Sequence, residues 1–120
     1  MAIVVPATRQ VLADAYKMIA GAAGAYVSVH TGDPSTTGAN EAKDGAPAYA
    51  RKQTTWTSGT GGVINGTQVT IDLAPGTYTF VGLWKTATGG AADFIDKVAI
   101  SPTTLGAQSQ LLITPTFTQS

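Results

Sequence analysis

The stretch YVSVHTGDPSTTGANEA, residues 26–42, changes character halfway. From Tyr26 to His30 the side chains alternate, with Val27 and Val29 on one face and Tyr26, Ser28 and His30 on the other, which is the period of a β-strand. From Thr31 to Pro47 the chain is polar, and Gly32, Gly38 and the Asp33–Pro34 pair are turn formers. The segment also carries the one histidine of the chain. A strand that runs into a long turn-rich loop, and not into a helix, sets the pattern for the rest of the chain.

Downstream, AYARKQTTW (48–56) alternates again. GVINGTQVTIDL (62–73) contains Asn65–Gly66, which predicts a hairpin because both residues tolerate positive φ. Pro75–Gly76 fits the centre of a type II turn. TYTFVGLWK (77–85), DFIDKVAI (93–100) and SQLLITPTFT (109–118) read as further strands. Pro115 cannot donate to a ladder, so the last strand is expected at an edge or bulged there. Upstream, residues 7–21 predict the one helix, because Val11, Leu12, Ala15, Met18, Ile19 and Ala22 fall on one face. That stripe is expected to pack on a sheet, with Arg9, Gln10, Asp14 and Lys17 opposite. The reading gives an extended N-terminal arm at 1–6 and a single β domain at 7–120. The fold class is mainly β: an antiparallel β-sandwich or barrel of six to seven strands with one N-terminal helix.

Composition narrows the function. In 120 residues only 12% are charged, and seven basic side chains balance seven acidic ones. A nucleic-acid partner needs cations to displace counterions, so none is expected. Nothing resembles a signal peptide, and no apolar run approaches membrane-spanning length, so no membrane partner is expected either. There are 19 threonines and no cysteine, which favours strands and removes disulfide and thiolate chemistry.

Catalytic groups are sparse. Acid–base work usually draws on histidine or on carboxylates with shifted pKa, and one His with seven scattered acids offers little. Ser58 lacks the flanking glycine of a nucleophile elbow, and the glycine clusters at 59–62 and 89–90 do not open helices. No catalytic residue, cofactor or metal site is assigned, although Asp33, Asn40, Glu41 and Asp44 leave a loop calcium open. The loop is read as self-structuring: His30, Gly32, Asp33, Gly38, Glu41 and Arg51 form the set, with Glu41 or Asp33 pairing Arg51. Candidate partner contacts are Ala2, Ile3, Val4 and Val5 in the arm, and Asp33, Pro34, Thr36, Thr37 and Asn40 in the loop. Trp56 and Trp84 are expected in the core.

The run VHTGDPSTTGANEA, followed by YARKQTTW and then TYTFVGLWKTATGG, resembles a motif of small virion proteins of tailed bacteriophages, described as capsid decoration or minor tail-fibre proteins. The resemblance covers residues 26–95. This chain departs from it at Ser35, where glycine is common, at Ala42, where valine is common, and by an added KDGAP. It implies a virion structural role and no enzymatic activity. The first expectation is a decoration protein on the phage head surface that bridges major capsid protein subunits. It would be made in the host cytoplasm and contact copies of itself, with a trimer among the options. No sustained heptad or fibre repeat is found, which turns this reading towards the head. The alternatives are a tail or tail-fibre-associated virion protein and, from another class, a carbohydrate-binding module that would expose Tyr78, Phe80 and Trp84.

Overall fold

The computed structural model describes residues 2–120; Met1, the first residue of the expected arm, lies outside the described residues. The described residues fold into one helix, α1 (Pro6–Lys17), and nine strands: β1 (Tyr26–His30), β2 (Lys52–Gln53), β3 (Trp56–Ser58), β4 (Val63–Gly66), β5 (Val69–Leu73), β6 (Gly76–Trp84), β7 (Phe94–Leu105), β8 (Ser109–Ile113) and β9 (Thr116–Thr118). A short 3-10 turn, Ala91–Asp93, precedes β7. The strands form three antiparallel sheets, ordered β2-β1-β6-β7, β3-β4-β9 and β5-β8. The architecture is sandwich-like and mainly β, as the alternation indicated, without a closed barrel. The body is elongated, 47 × 25 × 24 Å.

The main core joins Val27 and Val29 of β1 to Val69, Ile71 and Leu73 of β5 and to Tyr78 and Val81 of β6. A second cluster gathers Ala13, Ala25, Trp56 and Ile64 beneath the helix. Both tryptophans are buried. Among the described residues, none from Lys85 to Ser120 is buried, although that stretch supplies three of the nine strands.

Four local expectations change. Asn65–Gly66 does not turn: both residues lie in β4, paired with Thr57 and Trp56 of β3. Gly66 is needed for close approach, since a Cβ there would sit 2.5 Å from Thr54 Oγ1 and 2.7 Å from Pro115 Cγ. The run 48–56 is broken into β2 and β3 at Thr54, a fully buried residue whose amide donates to Ala25 O and whose hydroxyl donates to Thr67 O as the chain passes between sheets. The run 109–118 divides at Pro115, as a missing donor requires; its carbonyl accepts the Gly66 amide instead. β7 is longer than expected and continues to Leu105 past an irregularity between its pairings with Tyr78 and Phe80.

The helix brings the largest correction. It ends at Lys17 and not at residue 21, and the stripe expected in the core faces outward: Val11 is 66% exposed, Leu12 40%, Met18 51% and Ile19 43%. The opposite face packs inward. Ala13 is buried, the Gln10 side chain accepts the Gly62 and Val63 amides and donates to Val63 O, and Tyr16 stacks on Phe117 with ring centroids 3.8 Å apart. Lys17 donates to Ser58 Oγ, which donates in turn to Asp14. The small Ala13 lets the helix approach β3 and β4 closely, and Gln10 satisfies backbone groups that would otherwise be left open.

Candidate functional site

β1 is flanked by β6 throughout but by β2 only at Tyr26 and Val27. Beyond that point the loop takes the place of a strand. Ala42 N donates to Val29 O, Thr31 N donates to Asn40 O, and His30 and Glu41 form an isolated bridge. Residues 40–42 of the loop therefore continue the edge of the sheet beside β1.

Its turns follow from local chemistry. The Asp33 carboxylate accepts the Ser35 amide at 2.8 Å, an Asx turn, and the Asn40 side chain donates to Asp33 O at 3.0 Å. Ser35 and Asn40 have φ of 56° and 60°, the left-handed region. The glycine common at position 35 of the resembling motif is thus the residue that this backbone suits best. Gly38 (φ 77°) abuts Trp84: a Cβ there would fall 2.1 Å from the indole.

Under the loop lies a closed chain of donors. The Trp84 indole N–H donates to Ser28 Oγ at 2.8 Å, Ser28 lies 2.6 Å from His30 Nε2, and His30 Nδ1 lies 2.8 Å from Ala39 O. A carbonyl only accepts, so the imidazole proton sits on Nδ1 and Nε2 accepts the Ser28 hydroxyl. The register places Gly82 directly opposite Ser28, and a Cβ on Gly82 would lie 2.6 Å from Ser28 Oγ and 2.9 Å from His30 Nε2. Ser28 and His30 have the contacts of a nucleophile and its base, yet both are 0% exposed, so no substrate reaches the hydroxyl.

An ion pair closes the top. Arg51 donates through Nε and Nη2 to the two Glu41 carboxylate oxygens at 2.8 and 2.9 Å. Its Nη1 donates to Thr86 O, and its guanidinium lies 3.4 Å from the centroid of the Trp84 ring. Tyr49 donates to Glu41 Oε2 at 2.6 Å. Of the two acids proposed for Arg51, Glu41 is the partner, while Asp33 pairs Lys97 of β7 at 2.5 Å.

The electrostatics follow this geometry. Burial lowers the His30 pKa below 6.5, the Ala39 carbonyl and Glu41 oppose that shift, and Arg51 adds to it. Burial pushes the Glu41 carboxyl up, but the hydrogen bonds from Arg51 and Tyr49 outweigh it and leave the pKa below 4.5. Burial and then Glu41 push the Tyr49 phenol well above its usual range. A folded His30 pKa below the unfolded value means that the unfolded chain binds more protons in that window. The stability contributed by neutral His30 is complete above about pH 6.5 and declines as pH falls from there towards the folded value. Urea midpoints are therefore expected to fall between about pH 7 and pH 5, before most carboxylates titrate, with a second decline through the Glu41 range. A midpoint that stays flat down to about pH 5 contradicts this account.

Of the set His30, Gly32, Asp33, Gly38, Glu41 and Arg51, the structure brings His30, Glu41 and Arg51 together at the edge of β1, while Asp33 pairs with Lys97, Gly38 lies against Trp84 and Gly32 lies beside the Asn40 side chain. Ser28, Tyr49, Gly82, Trp84 and the Ala39 carbonyl belong to the cluster and escaped the sequence reading. Two signals were present: Ser28 shares the His30 face, and Gly82 interrupts the bulky run Phe80 to Trp84. Of the candidate contacts, Pro34 is corrected, being fully buried and offering no surface. Thr36, Thr37, Val4 and Val5 are exposed. The aromatic platform of a carbohydrate module is also absent, since Tyr78 and Trp84 are 3% and 2% exposed. Elsewhere an apolar cleft of about 380 Å³ lies between β6, β7 and the C-terminal strands, lined by Tyr16, Trp56, Leu83, Ile100, Ile113 and Phe117. Burial and then Asp96 push the Tyr16 phenol up, so it stays protonated there. Among the described residues no three His, Asp or Glu side chains converge, and no helix is long and apolar enough to cross a membrane.

A small β domain whose one dense polar cluster is spent on internal bonds has the character of a structural protein. A family model described as podophage GP4 fiber I protein gp80 matches residues 10–114. The chain belongs to that family, and with it to the structural proteins of phage virions. No curated protein and no solved structure matches it.

Proposed function

We propose that the chain is a non-enzymatic building block of a phage fibre, working through the surfaces that it presents to neighbouring virion proteins. The family match across residues 10–114 carries this reading. It favours the fibre, the alternative of the sequence analysis, over decoration of the head, for which the match gives no support. The self-braced loop fits the same role. A domain that meets mechanical and solvent stress outside the cell gains from an edge locked by a bidentate ion pair and a buried donor chain. Immunogold electron microscopy of intact virions with antibodies against this chain is the test. Label at the tail fibres is expected, and label spread evenly over the heads would restore the decoration reading.

A further inference from the structure

Asn65–Gly66 carries a chemistry that its place in the fold holds in check. In a flexible chain, the backbone nitrogen that follows an asparagine can attack the side-chain amide. Glycine in that position hinders the closure least, having no Cβ and the widest range of φ and ψ. The Gly66 nitrogen loses its proton and bonds to Asn65 Cγ, the Cγ–Nδ2 bond breaks, and Nδ2 leaves with that proton as ammonia. Water then opens the cyclic succinimide at either carbonyl. One opening gives aspartate. The other gives isoaspartate, whose main chain runs through the side-chain Cβ and gains an atom.

Asn65 is exposed, so water and base reach it, yet the backbone beside it is pinned. β4 is the central strand of the β3-β4-β9 sheet, with Asn65 paired to Thr57 on one side and to Thr116 on the other. The Gly66 amide donates to Pro115 O at 2.8 Å, so the proton that must leave is bonded and the nitrogen is fixed in the crossing. Nor is another residue tolerated at 66, because Thr54 and Pro115 leave no room for a Cβ. We infer that Asn65–Gly66 is a latent self-modification site: closed while the chain is folded, and in an unfolded chain converted to isoaspartate, after which that chain no longer refolds. The added backbone atom shifts Gly66 out of register with Trp56 and away from Pro115 O, next to the buried Ile64. A virion subunit is not renewed after assembly, so a crossing that stops this reaction prolongs its service.

Peptide mapping by mass spectrometry of the full chain, held at mildly alkaline pH with and without guanidinium chloride, follows deamidation of Asn65. The folded chain should deamidate at least about tenfold more slowly than the chain in denaturant, since reaction then waits on local opening of β4. Isoaspartate has to be located peptide by peptide, because Asp44–Gly45 yields the same product. After removal of the denaturant, soluble refolded chains should be depleted of isoaspartate at position 65 and the aggregated fraction enriched in it. Asn65→Thr removes the carboxamide and suits an exposed strand position. Its refolding yield should stay constant through the same incubation while that of the wild type declines. A folded-state rate within about tenfold of the rate in denaturant would overturn the protection. Isoaspartate at position 65 equally abundant in refolded and aggregated chains would overturn the block to refolding, as would a decline that Asn65→Thr shares.

Discussion

Replacing Arg51 with alanine is expected to cost roughly 3–5 kcal/mol of stability, because it strands a carboxylate that the fold has largely withdrawn from water. The Arg51 side chain is 8% exposed and that of Glu41 22%. Without the guanidinium, Glu41 keeps only the Tyr49 hydroxyl, Thr86 O loses its Arg51 donor, and the upper face of Trp84 opens. Urea unfolding followed by tryptophan fluorescence reads the loss. Arg51→Lys should fall between, since an ammonium keeps the charge but cannot bond both carboxylate oxygens through a planar fork. The double variant Arg51→Met/Glu41→Leu should recover part of the loss, because removing both charges removes the stranded one. An Arg51→Ala protein within about 1 kcal/mol of wild type would show that the pair is a solvated surface contact.

Trp84→Ala is expected to cost about as much again, roughly 3–5 kcal/mol, through the cavity it leaves. The indole touches each part of the cluster. It donates to Ser28, lies under Arg51, packs against Gly38 and meets Phe94 edge-on with centroids 4.8 Å apart. Its loss should lower the melting temperature by roughly 15 °C or more, at several degrees per kcal/mol for a domain of this size. The two variants share the cation–π contact, so the double variant Arg51→Ala/Trp84→Ala should cost less than their sum. Strict additivity would mean that the stacking contributes nothing.

Both effects concern residues whose types and neighbourhoods were partly legible beforehand. The run from His30 to Gly38 specifies its own turns, because the Asp33 carboxylate accepts from the amide two residues ahead and Gly38 takes a positive φ. A role for Arg51 with an acid of the loop was also legible, since the chain holds few cations. Which acid it would choose was not. Glu41 and Asp33 are chemically similar, and the register of β1 against the loop and the position of Lys97 on β7 decide between them.

Asn65–Gly66 makes the opposite point. The dipeptide is a strong local turn signal, yet pairing with β3 and the closeness of Thr54 and Pro115 hold it extended. Local propensity of this kind is worth about a kilocalorie per residue, and a sheet ladder with a crowded crossing outweighs it.

The sequence by itself determined the mainly antiparallel β class, the single N-terminal helix, an irregularity at Pro115 and a loop that folds on itself. Each rests on interactions within a few residues or on a side-chain period that any fold must respect. Tertiary structure alone decided which helix face turns inward. Both faces recur at the same spacing, and hydrophobicity favoured the wrong one. The unpaired backbone at Gly62 and Val63 required the Gln10 amide, Phe117 required a ring to stack on, and those needs arise only once strands distant in the chain stand side by side.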